Sequence, residues 1–204
     1  TSTRGRTTMY HSRADLANPA VERLARAFGA SVILSGTGDP GSLRAAATAE
    51  GIPTLTVEMG KAHRFQPTLI QKALDGVESV LAQLGILPGR SVQWPGWWQV
   101  VHGDDEKAWL RADKGGLVDM NWGPYPLVEE GETICTVSDH FRREEERVVA
   151  PFTGLIVGVL ENPVAAPGHP LCHLVRIDEA THEEIRAEID RGEFDGYRMR
   201  GPNV

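Results

Sequence analysis

Within the stretch GSLRAAATAEGIPTLTVEMGKAHR, five titratable side chains fall near the expected strand rim: Arg44, Glu58, Lys61, His63 and Arg64. Glu58 ends an apolar run, PTLTVE, and is followed closely by Gly60. A carboxylate there either meets water where a strand runs out or is presented to a site as a proton carrier. The bland readings compete with the chemical one. Arg44 falls inside a helical segment and can be a surface charge, and His63 and Arg64 can belong to a loop leading into the next helix. No H-E-x-x-H, P-loop, G-x-S-x-G or paired-cysteine zinc pattern occurs. His169 and His173 have helical ligand spacing but fall in a strand-rich region, which argues against a zinc pair.

The elements that would position these groups follow from pattern. NPAVERLARAFG predicts a helix with Asn18 as its cap, Pro19 in its first turn and Gly29 at its end. SVILS (31–35) reads as a buried strand and GTGDPG (36–41) as a loop. Ser42 can cap a second helix, LRAAATAE, and IPTLTVE (52–58) is the next strand. QPTLIQKALDGVESVLAQLG predicts a long helix with Leu69, Ala73, Leu74, Val77, Val80, Leu81 and Leu84 on its apolar side. Alternating helices and strands imply a parallel sheet with crossover helices, whose ligands bind beyond the carboxyl ends of the strands. Glu58 is expected at one such end, and Arg44 on the same rim.

Composition bounds the rest. The 204 residues suffice for one large or two small domains. A net charge of -7, from 21 basic and 28 acidic residues, argues against a nucleic-acid surface. No apolar run reaches the roughly 18 residues of a membrane helix. The polar, Arg-bearing opening TSTRGRTTMY does not read as a signal peptide. Two cysteines make no disulfide framework, and the cytoplasm is the expected compartment. The opening lacks Met, as if entered partway through a protein, and His11 reads as a loop residue.

After Gly89 the pattern changes. Residues 94–177 read as short strands with Gly and Pro turns, RREEER (142–147) as a hairpin tip, and residues 179–191 as a short polar helix. A repeat is embedded here: Ala112, Gly116 and Leu117 recur as Ala150, Gly154 and Leu155, and Gly131 and Cys135 as Gly168 and Cys172. The cysteines read as small hydrophobes in a pseudo-symmetric core. The doubled A-x-x-x-G…G-x-x-x-C pattern resembles the biotinyl/lipoyl barrel-sandwich family. The hairpin SDHFRREEER (138–147), where carrier members hold the modified Lys, has no Lys, so a structural or substrate-shaping role is implied.

The order of motifs over 1–177 resembles the succinylglutamate desuccinylase/aspartoacylase family of zinc-dependent, carboxypeptidase-like amide hydrolases. It runs from GSLRAAATAEGIPTLTVEMG through LGILPG to an aromatic linker and the β repeat. The implied fold is α/β: a partial carboxypeptidase-like α/β/α sheet (1–90), a lipoyl-like barrel-sandwich β domain (91–178), then a short helix and tail (179–204). The resemblance places Glu58 at the catalytic-Glu position and implies substrate contacts from Arg44, Arg64 and Tyr125. The family's His-x-x-Glu and Asp-Leu-His-Thr ligand motifs are missing, so zinc is expected to be bound by residues upstream of this chain. The implied partner is a small acyl-amino-acid substrate. WPGWW (94–98) could pack between the halves or between subunits of a homo-oligomer. The competing expectation is a non-catalytic binding or structural module.

Overall fold

The computed structural model describes residues 5–30, 32–62, 64–92, 106–120 and 126–192. The first part of the chain runs β1 (Arg6–Ala14), α1 (Pro19–Phe28), β2 (Ile33–Ser35), α2 (Leu43–Ala49), β3 (Thr56–Lys61) and α3 (Pro67–Gln83). The second runs β4 (Lys107–Arg111), β5 (Gly116–Met120), β6 (Leu127–Val128), β7 (Thr133–Ser138), β8 (Glu145–Val149), β9 (Gly154–Leu160), β10 (Val164–Ala165), β11 (Pro170–Arg176) and α4 (Glu179–Asp190).

The helix ends obey their caps. Asn18 Oδ1 accepts from the Ala20 and Val21 N–H groups at 3.0 and 3.4 Å, and Gly29 closes α1 at φ 78°. Ser42 Oγ accepts from Ala45 N–H at 3.2 Å. The contact line of α3 differs from its apolar pattern. Leu69, Gly76 and Ser79 are its buried residues, while Leu74, Val77 and Leu84 are exposed. Gly76 is the cause: any Cβ there would lie 2.8 Å from the Phe28 ring. The bare backbone lets α1 pack tightly on that line and turns the neighbouring stripe outward.

β1 is the main departure from expectation. Its segment carries no apolar alternation, because Thr7, Thr8, His11 and Ser12 are buried with Met9 and Tyr10. A strand buried on both faces inside a sheet gives no period-2 signal. His11 is therefore not in a loop but in mid-strand, with no exposed surface.

β1 organises a seven-stranded sheet of order β2-β1-β9-β11-β4, with β3 on β1 and β6 on β9. β2 is parallel to β1, but β3 is antiparallel, so the all-parallel expectation fails. β3 lies along residues 7–13 of β1. Since a strand has two edges, β9 (beside residues 6–8) and β2 (beside residues 12–14) share the other. One sheet thus crosses from the first part of the chain into the second.

Helices cover both faces of this sheet. Met9 packs with Val32, Leu34, Val157, Val175 and Ile185 of α4. Tyr10, pointing the other way along the strand, packs with Phe28 of α1 and Leu69 of α3. The segment expected as a mere terminal helix is thus a layer of the α/β core, capped by Asp178 at Thr181 N–H, 2.7 Å.

The repeat is realised in the second part. Gly116 and Gly154 each open a strand, and each lies under a carbonyl. An added Cβ would stand 2.2 Å from Ser138 O or 2.4 Å from Val175 O. The two halves exchange bonds reciprocally: Gly131 N–H donates to Ala150 O at 2.8 Å, and Gly168 N–H to Ala112 O at 2.7 Å. Cys135 and Cys172 are both fully buried; burial pushes Cys135 up to about 11 and Cys172 higher still. These are inert core thiols. The strands form part of the large sheet and a second, four-stranded sheet, β10-β5-β7-β8. No closed barrel is present among the described residues, and the barrel-sandwich expectation is not confirmed. RREEER is part tip and part strand, since β8 begins at Glu145.

Candidate functional site

A cleft of about 800 Å³ opens beyond the carboxyl ends of β1 and β2. Its charged lining is Arg13, Asp39, Arg44, Glu58 and Lys107. The rule for parallel strands therefore holds for the β1/β2 pair, but Glu58 arrives differently. It is not at a strand end. β3 continues to Lys61 and enters antiparallel, so Glu58 reaches the cleft from mid-strand.

Two backbone features aim it there. A bulge in β1 between Thr8 and His11 shifts the register so that His11 faces Glu58. Gly60 then takes φ 75°, and a Cβ on it would meet Gln66 Oε1 at 2.4 Å. That oxygen accepts from Lys61 N–H at 2.7 Å. The glycine after Glu58 is thus required by conformation and by close packing.

Arg13 follows His11 by two residues and shares its face of β1. Its Nε lies 2.8 Å from Glu58 Oε1. The contact is one of charge: Nε is buried and makes no aligned hydrogen bond. Arg13 Nη2 lies 3.4 Å from His173 Nδ1. Arg44, at the start of α2, donates to the Gly36 carbonyl and lies over Gly38, where a Cβ would sit 2.9 Å from Nη2. The Gly-rich loop thus wraps the guanidinium. Burial, then the neighbouring Arg13, lowers Arg44 from its ordinary value, with Asp15 and Asp39 opposing. Two guanidiniums facing one cleft make a field that favours an anion.

Two buried imidazoles stand behind this wall. His11 Nδ1 donates to Met9 O at 2.8 Å, and burial lowers His11 to about 4, with Arg13 assisting and Glu58 opposing. His173 stacks on its cross-strand neighbour Trp109, centroids 4.3 Å apart and planes within 4°. Burial, then Arg13, lowers His173 to about 2. Both are neutral at pH 7.

Of the residues expected at the site, Glu58 and Arg44 meet in the cleft. Arg64 is exposed in the connection before α3 and does not line it. Tyr125, His63 and WPGWW lie outside the described residues. Arg13, Lys107 and His173 were not anticipated. Had β1 been recognised, the i, i+2 spacing of His11 and Arg13 would have placed both on Glu58's face; Lys107 and His173 have no sequence signal of this kind. Among the described residues, no group of three or more His, Cys, Asp or Glu is placed to hold a metal ion. The expected zinc therefore has no ligand set within them.

Residues 1–84 match the succinylglutamate desuccinylase/aspartoacylase catalytic domain. The resemblance expected from the motifs holds over that region. Solved structures extend the likeness of fold across the second part. The apo ectoine utilization protein EutE (DoeB) from Ruegeria pomeroyi is 17% identical with a TM-score of 0.77, covering 87% of this chain and 58% of its own. A succinylglutamate desuccinylase from Silicibacter sp. TM1040 is 20% identical with a TM-score of 0.70, covering 84% and 55%. A succinylglutamate desuccinylase/aspartoacylase from Rhodobacter sphaeroides is 17% identical with a TM-score of 0.73, covering 88% and 57%. The chain thus spans a little over half the length of the structures it matches. No curated protein sequence matches it. Among the described residues, no helix is long and apolar enough to cross a membrane.

Proposed function

We propose that the cleft is the hydrolytic site of a deacylase that cleaves the amide of an N-acyl amino acid or similar small acyl-amide. One observation carries the reading: Glu58 and Arg44 line the same cleft, within the region that matches the family's catalytic domain. Glu58 takes a proton from the attacking water as oxygen adds to the acyl carbon, and passes it to the amide nitrogen as the C–N bond breaks. The products are a carboxylate and a free amine. Arg44, with Lys107 of the same lining, holds the substrate carboxylate by charge-assisted contacts. A product-bound structure of the R. pomeroyi relative agrees with a small-molecule site in this fold. The zinc implied by the resemblance would need ligands other than the described residues. Tyr125, outside the described residues, is retained as a candidate for substrate contact, whereas Arg64 does not line the cleft. The free thiols fit the cytoplasm.

A panel of N-acyl amino acids assayed with the complete protein tests this, with Glu58→Gln as the control. The variant is expected to lose roughly 10²–10⁴-fold in kcat. Near-normal turnover in Glu58→Gln removes Glu58 from the mechanism. A second reading, a non-catalytic binding module, draws on the Arg13–Glu58 ion pair, since a structural pair has this form. It predicts binding without turnover across the whole panel.

A further inference from the structure

His173 is costly where it stands. Its strand neighbours Leu171, Cys172, Leu174 and Val175 are fully buried, and His173 itself is 2% exposed. Burying an imidazole among them carries a desolvation cost that an apolar residue would avoid. Its Nε2 is buried with no hydrogen-bond partner among the described residues. Two contacts set the ring: Trp109 on its face and Arg13 at Nδ1. The stack needs only a flat ring. The nitrogen at Nδ1 is what chemistry adds, and it faces a guanidinium whose other side meets Glu58 at 2.8 Å.

We propose that His173 and Arg13 are positioning residues for Glu58. The His173 Nδ1 lone pair accepts from Arg13 Nη2, and the guanidinium so fixed holds the Glu58 carboxylate against the cleft wall. The direction of the bond follows from protonation. A guanidinium has donors and no acceptor, so the imidazole must offer a lone pair at Nδ1 and carry its proton on Nε2. The physical need is also visible. The Arg13–Glu58 contact has charge but no aligned hydrogen bond, so it attracts the carboxylate without fixing its orientation. A second anchor on Arg13 supplies that constraint. The relay joins β11 to β1 and β3, so the strand-rich part of the chain sets the geometry of a group on the helix-flanked part. Its catalytic meaning rests on the deacylase reading; its existence does not.

The first test needs no turnover. In a ¹⁵N NMR spectrum of the chain at pH 7, His173 is expected with Nδ1 unprotonated and Nε2 protonated, and the Arg13 Nη2–H with slowed solvent exchange. His173→Phe keeps a flat ring for Trp109 and removes the acceptor, so Arg13 Nη2–H exchange should accelerate at least severalfold. His173→Asn, which can offer an oxygen near the Nδ1 position, should restore slower exchange. A protonated Nδ1 in the wild type overturns the relay without any variant, and so does unchanged Arg13 exchange in a folded His173→Phe. With an active complete enzyme, His173→Phe should lower kcat by roughly 10–100-fold, as for outer-shell partners elsewhere. KM should stay within about twofold, and His173→Asn should recover part of kcat. Equal kcat in wild type and His173→Phe overturns the positioning role. An intact NMR relay in a protein that turns over nothing sinks the deacylase reading and leaves the relay standing.

Discussion

The helix-flanked part of the chain (5–92) and the strand-rich part (106–176) use their cores differently. In the first, β1 carries four buried polar residues, Thr7, Thr8, His11 and Ser12. Buried polar groups cost stability unless they are satisfied, and two of them, His11 and Ser12, adjoin Arg13, which lines the cleft. In the second, the core is apolar and doubled, with a repeat whose glycines and cysteines meet under matched constraints. The difference lies in what each core buries. The doubled core is built of apolar side chains, while the polar strand carries Arg13 to the cleft of the proposed site. The boundary is not strict, since Lys107 and His173 reach the polar side from the strand-rich part.

Acid should break the polar part with the largest effect. His11 and His173 are held neutral by burial, with Arg13, Arg6, Lys107 and Glu58 as their charged neighbours. Their folded values lie below the ordinary 6.5, so the unfolded chain binds more protons as pH falls. The stability is fully present above about 6.5. It is lost down to about 4 for His11, and further still for His173. Each imidazole contributes on the order of 3 kcal/mol between pH 6.5 and 4. Urea melts across that range check this, and a flat profile removes the buried imidazoles from the account.

Next in size, Gly116→Ala and Gly154→Ala should each cost roughly 1–3 kcal/mol, and by similar amounts, because each Cβ would press on a backbone carbonyl. Unequal losses, read from denaturation midpoints, would show that the repeat is not energetically symmetric. Arg44→Ala should raise KM for carboxylate-bearing substrates roughly tenfold with little change in kcat. An unchanged KM takes Arg44 out of the anion site. The smallest effects are expected at Gly131 and Gly168, both at positive φ but open to space. Alanine at either should cost only about 1 kcal/mol, and a much larger loss would mean a packing role that the geometry lacks.

The cleft was partly legible beforehand. Glu58 and Arg44 stood out because a motif and a Gly-rich loop flank them. The helices were legible because Asn18, Ser42 and Gly29 are local signals. β1 was not, since a strand buried on both faces with polar residues has no periodicity to read. The orientation of β3 was also hidden. An apolar run reads the same in either direction, and only its pairing with β1 reveals it as antiparallel.

The sequence by itself determined which residues can do chemistry, where the helices begin and end, and that the second part is doubled. Those properties are local: caps, turns, side-chain types and internal repetition act within a few residues or within the text itself. Only the tertiary structure decided which groups meet. Arg13 and Glu58 are 45 residues apart and Arg13 and His173 160, and strand pairing across the sheet is what brings them within contact. Register, edge choice and the bulge in β1 are settled by the free energy of the whole core, which no single segment carries.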